Sequence, residues 1–463
     1  MRKTQILFGY MPEKQYLCCE DIKYSYMLRR KMEKEIENHF RDSDKVMVLE
    51  GARQTGKSYI IRHTCKRLFK NYVEINLADD KQSDHIFDSV NSVKDFYLQL
   101  GAFAGKKLGD KSDTVIFLDE IQEYPRLISM LKQLREDGRY SYIASGSLLG
   151  ITLRRDTFIP IGSISIKEMY PLDFEEFLMA NGVSDDVLEH IREQYRKREP
   201  LNEALHKTMM TFFRNYLLVG GLPDSVNTYL SSQNMTKVRE LQRDIRLLYT
   251  DDAARYEQSK KLLIRRIYEM IPSQMGNKKK RMVFKDIEDN KNRRFSDYID
   301  EFDYLIDSGI ALDVRAITNP KFPLVESVSK NLLKLYMNDV GLLTSVLYGP
   351  NINAILSEQR SVNLGSVYES VVAQELKAHG HRLFYYDSKK NGEVDFLIDD
   401  YDTLNVLPIE VKSGKDYSVH RSLTHFLETK DFGVENAIVL CNDREVRVEE
   451  GITYLPIYYS MCI

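Results

Sequence analysis

No stretch of this chain approaches the roughly 20 consecutive apolar residues that a membrane-spanning helix needs, so no membrane partner is expected. The opening Met1-Arg2-Lys3-Thr4-Gln5-Ile6-Leu7-Phe8 has basic residues but lacks an apolar core long enough for a secretory signal. Cysteine is scarce: Cys18, Cys19, Cys65, Cys441 and Cys462 are odd in number, and none forms a C-x-x-C pair. That usage argues against a zinc site or a disulfide framework and fits a reducing, cytoplasmic interior. A strong charge excess is missing too. The net charge of −3 gives no global pull toward nucleic acid, so such contacts have to come from local patches. Repeats and low-complexity tracts are absent. Apolar residues make up 43% of the chain, enough to bury real cores, and its 463 residues predict about three domains at roughly 150 residues each.

What is present is concentrated in a few motifs. Gly51-Ala52-Arg53-Gln54-Thr55-Gly56-Lys57-Ser58 fits the P-loop pattern G-x-x-x-x-G-K-[ST]. The apolar run Lys45–Glu50 before it reads as a buried strand. Tyr59–Phe69 after it reads as a helix, with Ile60, Ile61, Thr64, Cys65 and Leu68 on one side. A strand, a glycine turn and a helix N-terminus together make an anion cradle of converging N–H groups. Gly51, Gln54, Thr55, Gly56, Lys57 and Ser58 would hold ATP, with Lys57 on the outer phosphates and Ser58 on Mg²⁺. At an average glycine usage of roughly 7%, a chance match in a chain this long arises on the order of one or two per cent of the time.

Asp113-Thr114-Val115-Ile116-Phe117-Leu118-Asp119-Glu120 is an apolar strand ending in two carboxylates, the Walker B arrangement. Asp119 would hold the Mg²⁺ water shell and Glu120 would orient or deprotonate the attacking water. Tyr140-Ser141-Tyr142-Ile143-Ala144-Ser145 reads as a further strand ending in a polar residue. Ser145 is the first candidate to sense the γ-phosphate and Ser147 the second, against the bland reading that these serines only start a turn. Strands alternating with helices predict a parallel α/β sheet covered on both faces, with a helix over residues 24–40 leading into it.

From Lys167 helical patterning takes over to about residue 265, interrupted by Gly220-Gly221-Leu222-Pro223, which predicts a helical lid. Lys278-Lys279-Lys280-Arg281 then leads into a winged-helix-like reading, with Phe295–Ile306 as the longer helix and Ser308–Arg315 as the first strand of a wing. The basic run, with Arg293 and Arg294, suits phosphate contacts or simply a solvated loop. The expected domains are 1–166, 167–270, 271–345 and 346–463.

Near the C-terminus, Gly392-Glu393-Val394-Asp395-Phe396-Leu397-Ile398 and Leu407-Pro408-Ile409-Glu410-Val411-Lys412 read as a hairpin. Residues two apart share a strand face, so Glu393 pairs with Asp395 and Glu410 with Lys412 on theirs. Carboxylates gathered with a lysine suit Mg²⁺ or Mn²⁺, with Glu369, on the helix beginning at Gly365, as a further ligand. The alternative is ordinary cross-strand salt bridging by Lys412.

Taken in order, these motifs resemble a large family of bacterial and archaeal AAA-type ATP-binding proteins whose C-terminal region is similar to a PD-(D/E)XK nuclease. The resemblance rests also on Phe117-Leu118-Asp119-Glu120-Ile121-Gln122, Ser145-Gly146-Ser147, Tyr170-Pro171-Leu172-Asp173-Phe174-Glu175-Glu176-Phe177 and Gly365-Ser366-Val367-Tyr368-Glu369. It implies an α/β P-loop NTPase sheet with a helical lid, a winged-helix region and an α/β nuclease-like domain. Glu369, Asp395 and Glu410 would then be metal ligands and Lys412 the catalytic lysine. Many relatives carry a basic residue after the glycine at Gly162, where this chain has Ser163, so no arginine finger is assigned; Arg154 and Arg155 are the nearby arginines.

The expectation is an ATPase whose nucleotide state controls a metal-dependent nuclease domain acting on nucleic acid, with assembly of like copies compatible with it. The alternative is a nucleotide-dependent switch whose C-terminal domain only binds nucleic acid or a protein partner.

Overall fold

The computed structural model describes residues 28–147, 149–150, 162–256, 260–276, 280–288, 292–356, 364–390, 392–414, 418 and 420–463. The arginines at 154 and 155, the lysines at 278 and 279 and the first residues of the expected 24–40 helix lie outside these. The leading helix is described as Lys31–Asp42.

β1 (Val46–Glu50), β2 (Asn71–Asn76), β3 (Thr114–Asp119), β4 (Ser141–Gly146) and β5 (Ile164–Glu168) form a parallel sheet in the order β2-β3-β4-β1-β5. Alternation along each strand sends neighbouring side chains to opposite faces. Met47, Leu49, Val115, Phe117 and Ile143 pack under Ile60, Ile61 and Cys65 of the helix Lys57–Leu68. Val46, Val48, Ile116, Leu118 and Ala144 pack on the opposite side with Leu127, Leu131 and Leu134 of the helix Pro125–Asp137. Burial on both faces is why these strands read as continuous apolar runs. β3 and β1 lie one strand apart, either side of β4, so the ends of the two motif-bearing strands open at the same edge of the sheet.

Among the described residues six helices follow between Phe174 and Met275. The first starts on a capping box: Asp173 accepts from the Glu176 N–H (2.8 Å) and Glu176 accepts from the Asp173 N–H (3.3 Å). Among the described residues no helix is long and apolar enough to cross a membrane.

β6 (Ala311–Ile317), β7 (Val328–Met337), β8 (Phe384–Ser388), β9 (Gly392–Asp400), β10 (Asn405–Val411), β11 (Ala437–Cys441), β12 (Arg447–Glu449) and β13 (Ile452–Pro456) make a mixed sheet in the order β12-β13-β11-β10-β9-β8-β6-β7. The expected hairpin is there: β9 and β10 pair antiparallel, with Phe396 opposite Ile409. The wing reading is not confirmed as a separate unit. β6 does pair with β7, but it also pairs in parallel with β8, so both strands belong to the C-terminal sheet. The helix expected over 295–306 is a 3₁₀ turn, Phe295–Tyr298, feeding the helix Ile299–Asp307. One hydrophobic core also crosses the expected boundaries at 270/271 and 345/346. It joins Phe213 and Leu217 of the lid, Ile271, Leu305, Val314 and Leu335, and then Val371, Phe396 and Ile409. Local patterning could not show this, because each segment is amphipathic whichever neighbour it packs on.

Candidate functional site

The P-loop closes tightly around its own backbone. Gly51 has φ +140°, and a Cβ there would sit 2.2 Å from the Met169 carbonyl oxygen, so only glycine fits. The chain leaves the loop at Gly56, the N-cap of the helix Lys57–Leu68, whose first N–H groups face the loop. Lys57 Nζ donates to the carbonyls of Gly51 (2.9 Å) and Ala52 (2.8 Å). Burial pushes its ammonium down to about 8, against the pull of Glu120 and Asp119.

The two serine candidates divide between the two carboxylates. Asp119 Oδ1 accepts from Ser58 Oγ (2.9 Å) and from the Ser145 hydroxyl. Glu120 Oε2 accepts from Gln122 Nε2 (2.5 Å), Ser147 Oγ (2.9 Å) and the Ser147 N–H (3.3 Å). Burial raises Asp119 above the usual carboxylate range. It also acts upward on Glu120, but the Gln122 bond and the Lys57 charge outweigh it and hold that carboxylate low, hence ionised. Glu120 has φ +53°, a left-handed conformation uncommon for a non-glycine residue and found disproportionately at functional sites. Ser58, Asp119, Glu120 and Ser145 therefore meet at the mouth of the loop.

Several residues that the motifs do not mark complete this end. Arg30 donates from Nη1 to the Thr55 carbonyl (2.9 Å), from Nη2 to the Tyr170 carbonyl (2.7 Å) and from Nε to Glu176 (3.0 Å). Arg53 pairs with Asp252 (2.9 Å), and Tyr249 donates to the Arg53 carbonyl (2.9 Å). Glu50, which ends β1, is pushed up to about 7 by burial and by the charges of Glu168 and Asp307. A cavity of about 160 Å³ beside the loop is lined by Leu28, Arg30, Gln54, Gly56, Pro223 and Asn227. A lone arginine ahead of a helix carries no motif, so sequence reasoning had no signal for Arg30.

The second site is a cavity of about 410 Å³ lined by Glu369, Glu393, Asp395, Glu410, Lys412 and Lys280. The helix Gly365–Ala378 lies across the strand pair and brings Glu369 to the sheet face. Asp395 Oδ2 accepts from the Val411 N–H (2.9 Å), and Lys412 Nζ donates to Glu410 Oε1 (2.7 Å). Two lysines that the sequence reading did not assign to this site enter as well: Lys334, which it did not single out, and Lys280 of the basic run, which pairs with an acid here rather than lying in a solvated loop. Lys334, fully buried on β7, donates to Glu393 (2.5 Å), and Lys280 donates to Glu369. Glu410 Oε2 is buried without a partner. Burial, then the charge of Asp395, pushes Glu410 up to about 8 and Glu369 up to about 7. Four carboxylates against three ammonium groups leave the cavity short of positive charge. Among the described residues, no three His, Cys, Asp or Glu side chains stand close enough to grip an ion as they are. The donor set is nonetheless all oxygen, the kind that Mg²⁺ or Mn²⁺ takes, with Glu410 Oε2 still unused.

A family model described as "AAA domain" matches residues 43–178. Models described as domains of unknown function match residues 210–351 (DUF8612) and 364–459 (DUF4143). No curated protein matches the chain. Among solved structures, the Walker-type ATPase PABY2304 of Pyrococcus abyssi is similar at 12% identity, over 69% of this chain and 96% of that one, with a TM-score of 0.42. The STAND protein PH0952 of Pyrococcus horikoshii, which has a tetratricopeptide repeat sensor, is similar at 13% identity over 77% of this chain and 46% of that one (TM-score 0.27). The Orc1 protein of Aeropyrum pernix, solved in complex with DNA, is similar at 12% over 73% and 94% (TM-score 0.28). The family match and the β2-β3-β4-β1-β5 sheet support an AAA-type ATPase fold for the N-terminal part.

Proposed function

We propose that the protein hydrolyses ATP and that its nucleotide state bears on the acidic C-terminal cavity. Phosphates would lie over the P-loop, held by the N–H groups of Gln54–Ser58 and by Lys57, which swings from the Gly51 and Ala52 carbonyls. The base would enter the cavity bounded by Arg30 and Pro223. Ser58 and Asp119 would hold Mg²⁺, which neutralises charge developing on the phosphate oxygens. Glu120, kept ionised, accepts the proton of the attacking water. Ser145, bonded to Asp119, shifts with the occupancy of that position.

The observation that carries the coupling is the chain of contacts leaving the loop. Arg30 ties the Thr55 carbonyl to Glu176 in the capping box, and the Phe174 N–H of that same turn donates to Glu375 (2.8 Å). Glu375 sits on the helix that presents Glu369 to the acidic cavity. His379, on the turn that ends this helix, faces Asp173 at 3.6 Å. A displaced P-loop therefore pulls on the helix that carries a cavity carboxylate.

At that cavity, Glu369, Asp395 and Glu410 would hold Mg²⁺ or Mn²⁺ once Lys280 withdraws, and Lys412 would stabilise negative charge on a phosphodiester. The metal supplies a polarised water for hydrolysis. A second reading, a switch that binds nucleic acid or a protein without cutting, is favoured by the ion pairs of Lys280 and Lys334, which already engage Glu369 and Glu393. Titrating Mn²⁺ into the full chain with and without a non-hydrolysable ATP analogue, alongside cleavage assays on DNA and RNA, tests both. A nucleotide-dependent Mn²⁺ affinity that Asp395→Ala abolishes supports the coupling, because Mn²⁺ bound with the nucleotide at the P-loop survives that substitution. An affinity indifferent to nucleotide, or a nucleotide dependence that the substitution leaves unchanged, refutes it. Nucleotide-dependent binding without cleavage of any substrate selects the second reading.

A further inference from the structure

A third cavity, about 300 Å³, shares no lining residue with either site. It lies between the helices Met235–Tyr256 and Val340–Tyr348. Arg239, Arg243 and Arg246 line it from the first helix, at the i, i+4, i+7 spacing of a single helical face. Glu240 is the one acid among the residues lining it. Arg243 reaches Asp244 at 3.8 Å, but both are about two-thirds exposed and water screens that pair.

Arg239 is the unusual member, at 8% exposed. Its Nη1 donates to neutral acceptors: the Leu218 and Gly341 carbonyls (3.2 and 3.1 Å), Gln242 Oε1 (2.9 Å) and Thr344 Oγ1 (3.0 Å). Its Nε and Nη2 are buried with no partner. A guanidinium presents its donors as a planar fork suited to two acceptor oxygens of one anion. Here one arm is consumed by the fold and the other side of the fork is unused. Burial lowers the guanidinium pKa to about 10, opposed by the charge of Asp339, so the group stays cationic at neutral pH while lacking a counter-ion in contact.

We infer that this cavity is a binding site for a phosphate ester or diester, with Arg239 at its floor and Arg243 and Arg246 at its rim. Three guanidinium groups against one carboxylate call for more than a single negative charge, which favours phosphate over carboxylate. Met235, Pro350 and Ile352 supply apolar walls for the organic body that carries it. The source is either a free phosphorylated small molecule or the backbone of a nucleic acid. The inference does not depend on the acidic cavity or on ATP hydrolysis.

The test uses the full chain carrying Lys57→Ala, so that the P-loop does not compete for phosphate. Pyrophosphate and a 12-residue oligothymidylate are titrated separately by calorimetry, against the same chain with Arg243→Gln and Arg246→Gln added. These rim residues are not fully buried, so the pair should leave folding intact, and a thermal melt confirms it. The expected result is binding of at least one probe, weakened about tenfold or more by the double substitution. For the oligonucleotide, the salt slope should also fall by about 1.4, the loss of two phosphate contacts on a single strand. Pyrophosphate binding alone identifies a small-molecule site; oligonucleotide binding alone identifies a backbone site. Binding of neither probe, or equal binding by the folded double variant, overturns the inference.

Discussion

Glu410→Gln should make the protein more stable at alkaline pH, although it removes a partner of Lys412. The carboxyl ordinarily titrates at 4.5 and is pushed to about 8 in the folded chain by burial and by Asp395. Between those values the folded state holds a proton that the unfolded state has released, so stability falls as pH rises through this window. The slope reaches about 1.4 kcal/mol per pH unit. By pH 8.5 the ionised carboxylate has cost on the order of 5 kcal/mol, and below pH 4.5 it costs nothing. Glutamine keeps the shape and removes the charge. It also takes the charged partner from Lys412, though the amide oxygen still accepts and that side chain is 27% exposed and can turn to water, so only part of the gain is lost. A net stabilisation of about 2 kcal/mol at pH 8.5 is expected, or roughly 2–4 °C for a cooperative unit larger than about 250 residues. Paired thermal melts in a chelator at pH 5 and pH 8.5 measure it. The two proteins should nearly coincide at pH 5 and separate at pH 8.5, and Mn²⁺ should stabilise the wild type far more than the variant. A variant no more stable than wild type at pH 8.5 would show that the carboxylates are already comfortably paired, and the reasoning fails.

Lys280→Ala removes the ammonium from Glu369 and should raise Mn²⁺ affinity about tenfold or more, read by calorimetry at fixed pH. Lys57→Ala should lower ATP turnover on the order of 10²–10³-fold, as the loss of one charged donor to a transferring phosphate does, measured by phosphate release. Gly309→Ala should weaken ATP binding: φ is +71° and its Cβ would lie 2.9 Å from the Ala52 N. The left-handed backbone alone costs about 1–2 kcal/mol, and the new methyl presses on the P-loop, so melting temperature and nucleotide affinity should fall together. Asp173→Ala removes an N-cap and the buried partner of Lys31 and His379, and should destabilise the chain by roughly 2–4 kcal/mol in urea unfolding.

The parts of the fold that were legible from sequence are those set by local pattern. Fully buried parallel strands read as apolar runs, and β1 and β3 announced themselves through the motifs at their ends. The β9–β10 hairpin was readable because alternation places Glu393 with Asp395 and Glu410 with Lys412. The wing reading is not confirmed, since β6 looks the same in sequence whether it faces one partner or two. Its parallel pairing with β8, some 70 residues away, leaves no trace in its own composition.

The acidic and phosphate-type motifs, and the residue types that suit each chemistry, are properties of the chain alone, since spacing along a strand or turn decides which side chains share a face. Which cations answer those acids was decided only by folding. Lys334 and Arg30 come from distant segments and bear no motif, and Lys280 belongs to a basic run that suited phosphate or solvent; folding gives them Glu393, the Thr55 carbonyl and Glu369 as partners. Electrostatic energy depends on distance and burial, and neither exists until the one continuous core has brought lid, strands and helices together.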